Sequence, residues 1–219
     1  MVKAVICIEG NIGVGKSTFS RLINEYIKSS EIVNEPIEEW FKMIDTHSNK
    51  NILQLFYDDK HRWSYTFQNM AYLTRMMKIE NVLRTTQQDY IFLDRSLNTD
   101  RNVFEKLLYD TGYISDLEHT IYKQWYNFYN DYVKSNTIEK TIYLKASPLS
   151  CYERIKFRGR HEENNISMDY LQQLHQYHEQ WLNNADNVLT INCDQDFEHN
   201  IDYQQYIIEQ TSKFILDNK

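Results

Sequence analysis

The sequence predicts an α/β fold built on one parallel sheet, and three observations point to it. A glycine-rich loop of the form G-x-x-x-x-G-K-[ST], running from Gly10 to Ser17, follows an apolar run and precedes a helix-forming stretch. Five short β-rich runs, each apolar nearly throughout, alternate with longer helical stretches. No linker, low-complexity tract or internal repeat interrupts this alternation, so the 219 residues read as a single domain.

The first strand is expected over residues 2–8 and runs straight into the loop, which occupies residues 8–18 in all. Gly10, Gly13 and Gly15 let the backbone curl until its N–H groups point inward at phosphate oxygens. Lys16 adds a point charge near the outer phosphates, and the Ser17 hydroxyl is suited to Mg²⁺. Asn11 and Thr18 complete the cradle. A helix over 17–29 follows and aims its positive end at the same anion. Together these features predict a nucleoside-triphosphate site. Further strands are expected at 32–34, 90–93, 141–144 and 188–191, apolar because a parallel sheet is covered on both faces. Helices are expected at 61–84, where Trp63, Phe67, Met70, Thr74 and Met77 recur at helical spacing, and at 115–134, rich in Tyr and Trp. Another spans 167–184, with Ser167 as its N-cap and Leu171, Leu174, Trp181 and Leu182 on one face. The last covers 201–216.

Composition narrows the function. A net charge of −7 argues against a nucleic-acid duplex as substrate, because duplex binding needs a basic footprint to displace counterions. Cys7, Cys151 and Cys193 follow no metal spacing and read as reduced thiols of a cytoplasmic protein. No targeting segment is expected ahead of the first strand, and no apolar run is long enough to span a bilayer. His175 and His178 lie three apart without a third ligand, so zinc is not expected.

Ligands of parallel sheets collect at the carboxyl ends of the strands. Pro36 biases Glu35 toward an extended backbone at the end of the second strand, although alone this reads as an exposed glutamate before a turn. Asp94 closes the third strand, the usual place for a carboxylate that supports Mg²⁺, and Arg95 beside it is placed to orient a substrate oxygen. Arg154 and Arg158 share a helix face, Gly159 ends or hinges that helix, and Arg160 follows. Three arginines around a glycine suggest a lid over the transferring phosphate. Gln68 and Arg75 lie two turns apart on one face of the helix over 61–84, with Phe67 adjacent. That pattern fits either the edge of a planar base or a wet helix face.

Read together, these residues resemble the deoxynucleoside kinases of the deoxycytidine and deoxyguanosine kinase type. The likeness rests on Ile8-Glu9-Gly10-Asn11-Ile12-Gly13 with Gly15-Lys16-Ser17-Thr18, on Glu35-Pro36 with Trp40, and on Arg62-Trp63-Ser64-Tyr65-Thr66-Phe67-Gln68. Asp94-Arg95-Ser96, Arg158-Gly159-Arg160 and Asp194-Gln195-Asp196-Phe197 extend it over nearly the whole chain. The resemblance implies a P-loop kinase fold with five parallel strands flanked by helices, and an arginine-rich lid at about 154–165. It also implies ATP as donor, Mg²⁺ and a homodimer formed through helices. Glu35 would be the general base on the deoxyribose 5′-hydroxyl, Arg95 would orient that oxygen, and Lys16, Arg158 and Arg160 would meet the developing charge. Ser17 and Asp94 would support Mg²⁺, while Arg154, Asp196 and Phe197 would contact the donor. Tyr57 and Glu163 would grip the 3′-hydroxyl. Gln68 would pair with the base, with Trp40, Phe67 and Phe104 walling it and Arg75 and Asp100 beside it. That last pair favours deoxycytidine and purine deoxynucleosides over thymidine. Two positions depart from the family: Asp94 stands where animal members usually carry Glu, and Phe56 stands where a smaller or more flexible residue is common.

Two other classes share parts of this pattern. A monophosphate kinase of the thymidylate type needs extra positive charge for an acceptor phosphate, where this chain offers Glu35 and Glu163. A guanine-reading nucleotide switch would carry Asn-Lys-x-Asp, and Asn49-Lys50-Asn51-Ile52 lacks the aspartate.

Overall fold

The computed structural model describes residues 2–133 and 138–216. Its five strands are β1 (Ala4–Glu9), β2 (Ser30–Val33), β3 (Tyr90–Asp94), β4 (Ile138–Lys145) and β5 (Val188–Asn192). They pair in parallel in the order β2-β3-β1-β4-β5. β1 extends one residue further than its apolar run suggests, because Glu9 still pairs with Tyr143 of β4. β2 starts earlier than expected, with Ser30 opposite Tyr90, and ends at Val33. Asn34 and Glu35 therefore lie beyond the sheet edge.

The ten helices among the described residues are α1 (Lys16–Tyr26), α2 (Ile37–Lys42), α3 (Ile52–Asp58), α4 (Lys60–Thr85), α5 (Leu97–Thr99), α6 (Glu105–Asp110), α7 (Asp116–Val133), α8 (Pro148–Arg158), α9 (Met168–Leu182) and α10 (Ile201–Leu216). A π-turn over Asp100–Phe104 joins α5 to α6, and a 3₁₀ turn over His161–Glu163 follows α8. Lys134, the expected end of the helix over 115–134, lies outside the described residues. Ser167 caps α9 by accepting from the Tyr170 amide, as expected. The short helices α2, α3, α5 and α6 carry too few turns to show a period. Their boundaries come from caps such as Asn51, which makes a reciprocal capping box with Gln54.

Alternation along β1 explains why its apolar run is unbroken. Ala4, Ile6 and Ile8 face a core built with α1, α8, α9 and α10. Val5 and Cys7 face the other side, against Tyr72, Met76 and Ile79 of α4 and Tyr122 of α7. A third cluster joins Trp40, Leu53, Phe56, Phe67, Ala71 and Leu108 above the ends of β2 and β3. α4 is thus buried on two sides, which corrects the single stripe expected for it: Phe67 and Thr74 are buried, but Met77 is exposed. The three cysteines are buried and free. His178 is buried, its Nδ1 2.7 Å from the Leu174 carbonyl oxygen, and burial drives its pKa down to about 3. It is a neutral core residue.

Candidate active site

The loop between β1 and α1 forms one wall of an open cleft of about 1500 Å³. A Cβ on Gly10 would lie 2.5 Å from the Leu144 carbonyl oxygen, and one on Gly13 would lie 2.5 Å from that of Cys151. Both glycines also have positive φ, so no other L-residue fits either place. Lys16, Ser17, Thr18, Gly13, Gly15 and Asp94 line the cleft, with Arg154, Arg158, Asp196 and Phe197 opposite. The buried Lys16 ammonium donates to the Asn11 carbonyl oxygen at 3.2 Å. Burial, helped by Arg95, lowers its pKa to about 8, and an entering polyphosphate pushes it back up.

Three residues grouped with the donor have bracing contacts here. Asn11 ties the loop to α9, donating to the Leu171 carbonyl oxygen at 2.9 Å. Arg154 bridges the loop and the end of β5 through the carbonyl oxygens of Val14 (3.2 Å) and Cys193 (2.7 Å). Phe197 is buried, its ring packed on Gly15, and it lines the cleft. Asp94 is different. It is buried, and its Oδ1 has no hydrogen-bond partner. Burial raises its pKa while Lys16 opposes the rise. An orphaned carboxylate oxygen lining the same cleft as the Ser17 hydroxyl fits a magnesium ion that also binds phosphate oxygens. No cluster of three or more His, Cys, Asp or Glu among the described residues suits a metal by itself.

A second cleft of about 620 Å³, counting its mouth, opens beneath α2, α3 and α4. Trp40, Phe56, Tyr57, Phe67 and Phe104 make its apolar wall, and Gln68, Arg75, Asp100, Glu35 and Glu163 supply polar groups. Gln68 is buried with its Oε1 unpartnered, which settles its alternative: it does not sit on a wet face. The Trp40 indole donates to the Thr74 hydroxyl at 3.0 Å, fixing that wall. Phe56 stacks on Phe67, with ring centroids 4.7 Å apart and planes at 22°. The two stacked rings leave no space between them for a flat ligand, which would have to lie against the pair.

The two clefts meet at Ile12, Glu35, Ile37, Arg160 and Glu163. Glu35 accepts from Arg75 at 2.5 Å and from Arg95 at 2.7 Å. Arg75 also pairs with Asp100, and Arg95 lies over the Phe104 ring. Burial would raise the Glu35 pKa, but Arg95, Arg75 and Lys16 together outweigh it and hold the carboxyl at about 2. Glu163 accepts from Arg158 at 2.5 Å, with Arg160 at 3.5 Å. Gly159 ends α8 in a left-handed conformation (φ 67°), which turns the chain between the two arginines. Ile12, Ile37 and Tyr170 also line the site and went unread in the sequence. Their only mark is an apolar or aromatic residue beside a polar one, which is common everywhere.

This geometry defines a phosphate-loop phosphotransferase whose acceptor cleft is aromatic. The family model "Deoxynucleoside kinase" matches residues 6–216, and the chain belongs to that family. It is 37% identical to the mitochondrial deoxyguanosine kinase of Xenopus laevis, over 89% of this chain and 83% of that protein. It is 33% identical to the deoxycytidine kinase of Bos taurus, over 96% and 90% respectively. The probable deoxycytidine kinase of fowlpox virus is 37% identical, over 97% and 88%.

Proposed function

We propose that this kinase transfers the γ-phosphoryl group of ATP to the 5′-hydroxyl of a deoxynucleoside in nucleotide salvage, favouring deoxycytidine and purine deoxynucleosides over thymidine. The observation that carries this reading is Glu35, one carboxylate shared by an anion cradle and an aromatic cleft. Arg75 and Arg95 are both neutralised there by carboxylates, which leaves little free charge for an acceptor phosphate.

In this reading Glu35 accepts the proton of the 5′-hydroxyl while Arg95 orients the oxygen. Lys16, Arg158 and Arg160 meet charge on the transferring group, and positioning supplies most of the rate. Ser17 and Asp94 would hold Mg²⁺, which neutralises phosphate charge when bound. Tyr57 and Glu163 take the 3′-hydroxyl. Gln68 pairs with the base edge, beside Arg75 and Asp100. Asp196 and Phe197 border the donor base.

A panel of four deoxynucleosides with ATP and Mg²⁺ tests this. Deoxycytidine or a purine deoxynucleoside is expected to give at least tenfold the kcat/KM of thymidine, which is about 1.4 kcal/mol of discrimination. Thymidine as best substrate would reverse the specificity, and faster turnover of a monophosphate than of its nucleoside would replace the acceptor class.

The same reading makes residues 1–219 one kinase domain and places it in the cytoplasm as a homodimer. No helix among the described residues is long and apolar enough to cross a membrane. α7 exposes Leu117, Ile121, Trp125 and Phe128 along one stripe, and neighbouring α4 exposes Leu73 and Met77. Two copies joined through these helices would cover the patch. Sedimentation is expected to give twice the chain mass, and Trp125→Glu to shift it toward the monomer; a wild-type monomer would refute the assembly.

A further inference from the structure

Glu9 closes β1 and directly precedes Gly10, the first glycine of the phosphate loop, yet none of the contacts described above uses its side chain. The carboxylate is fully buried, and it faces a backbone amide and a hydroxyl instead of a cation. Its Oε1 accepts from the Ser96 N–H at 2.9 Å, and its Oε2 accepts from the Thr99 hydroxyl. A buried carboxylate is costly to keep unless its hydrogen bonds are satisfied. An isosteric amide would fill the space more cheaply, but it has one accepting oxygen and no charge.

The segment that Glu9 holds has a particular place in the site. Ser96 and Thr99 bracket α5, a helix of a single turn. Immediately before it stands Arg95, whose backbone is left-handed at φ 68°. Such a conformation is strained for a residue with a Cβ and persists only when its surroundings enforce it. Here the enforcement comes from two consecutive residues of β1. The Arg95 amide donates to the Ile8 carbonyl oxygen at 3.0 Å, and the next amide, Ser96, donates to Glu9. Immediately after the segment stands Asp100, which pairs with Arg75. The two arginines on Glu35 are thus reached from the two ends of one short segment: Arg95 directly and Arg75 through Asp100.

We propose that Glu9 is a positioning residue for phosphoryl transfer: its carboxylate locks residues 96–99 to the phosphate-loop strand and so aims both arginines at Glu35. This rests on the phosphotransfer reading given above. Covalent continuity from Glu9 to Gly10 also ties the donor cradle to the acceptor-side turn, so one side chain sets the spacing between them.

The test is Glu9→Gln, with Thr99→Val as a milder cut of the same latch. Glu9→Gln is expected to lower kcat about 10- to 100-fold, the scale of a small misplacement, while leaving the KM for ATP unchanged. In an Arg95→Ala background the same change is expected to cost clearly less than in the wild type, because one of the two groups it positions is gone and only Arg75 remains to be misplaced. A crystal structure of Glu9→Gln is expected to show Arg95 out of the left-handed region and its pair with Glu35 opened. A kcat within about twofold of wild type, or a full multiplicative loss in the Arg95→Ala background, overturns the proposal. If Glu9→Gln does not fold, Thr99→Val carries the same comparison, and wild-type kcat there overturns the proposal. Failure of the wild-type protein to phosphorylate any deoxynucleoside would strike the phosphotransfer reading instead, and the crystal structure would then decide the role of Glu9 alone.

Discussion

Glu35→Gln is expected to lower kcat about 10²- to 10⁴-fold, the usual contribution of a positioned general base. The substitution keeps the shape of the side chain and removes the charge that takes the 5′-hydroxyl proton. Its pH dependence has a defined sign. Arg95, Arg75 and Lys16 together hold the Glu35 carboxyl at about 2, below its ordinary 4.5. It is therefore ionised across the neutral range, and its protonation limits kcat/KM only in strong acid. A group this acidic is a weak base, so in the proposed mechanism the acceptor would also be activated by the field of Arg95 beside it. The same pairing contributes to stability. A depressed carboxylate stabilises the fold above pH 4.5 and loses that contribution as pH falls toward 2. Glu35→Gln is expected to destabilise the protein at pH 7 by about 3 kcal/mol, the lower end for removing one partner of a buried ion pair. It should also flatten the loss between pH 4.5 and 2. Thermal unfolding of both proteins across that range checks this separately from turnover. A variant with wild-type kcat would remove the base role, whatever its stability.

The parts of this molecule that were legible in the sequence are those where one local rule acts alone. The phosphate loop is one: the glycines at 10 and 13 admit no Cβ, so the motif states the geometry. The five buried strands are another, since a sheet covered on both faces demands unbroken apolar runs. Asp94 was legible as a strand-end carboxylate because topology puts strand ends at the site, whereas Glu35 by itself read as an exposed glutamate before a turn. What stayed hidden depends on contacts between distant segments. Nothing local distinguishes Arg154, which braces the loop, from Arg158, which faces Glu163; both are arginines on one helix face. The packing of the Phe197 ring beside Gly15 is hidden in the same way, since the sequence places the two far apart. α4 showed one helical period where the fold buries two faces, because its second partner, the cluster around Trp40, comes from short helices with no period. Glu9 was read only as a letter of the motif, since its partners, Ser96 and Thr99, are nearly ninety residues on.

Removal of the lid arginines is expected to have the largest effect: Arg158→Ala should cost about 10³-fold or more in kcat, within the range for arginines that stabilise a transferring phosphoryl group. The contacts of Arg158 explain why the loss falls on kcat. Arg158 lines only the donor cleft and is held back by Glu163 at 2.5 Å. It must exchange this partner for phosphate oxygens, and that exchange gains most when charge accumulates during transfer. Arg160 is placed differently. It lines both clefts and approaches Glu163 less closely, at 3.5 Å. Arg160→Ala should therefore lower kcat and raise the KM for the deoxynucleoside together. In the proposed reading Glu163 would couple the two events: a 3′-hydroxyl arriving at its carboxylate would compete with both guanidinium groups, so the acceptor would itself help free the arginines for the donor. Substrates lacking the 3′-hydroxyl test this coupling: with 2′,3′-dideoxynucleosides, kcat should fall as well as affinity, and the penalty should shrink in Glu163→Gln, where the carboxylate no longer holds the arginines. Pre-steady-state phosphoryl transfer measured for wild type, Arg158→Ala and Arg160→Ala separates the chemical step from release. An Arg158→Ala enzyme that keeps its transfer rate within a few-fold would show that the lid encloses the donor without stabilising the transferring charge.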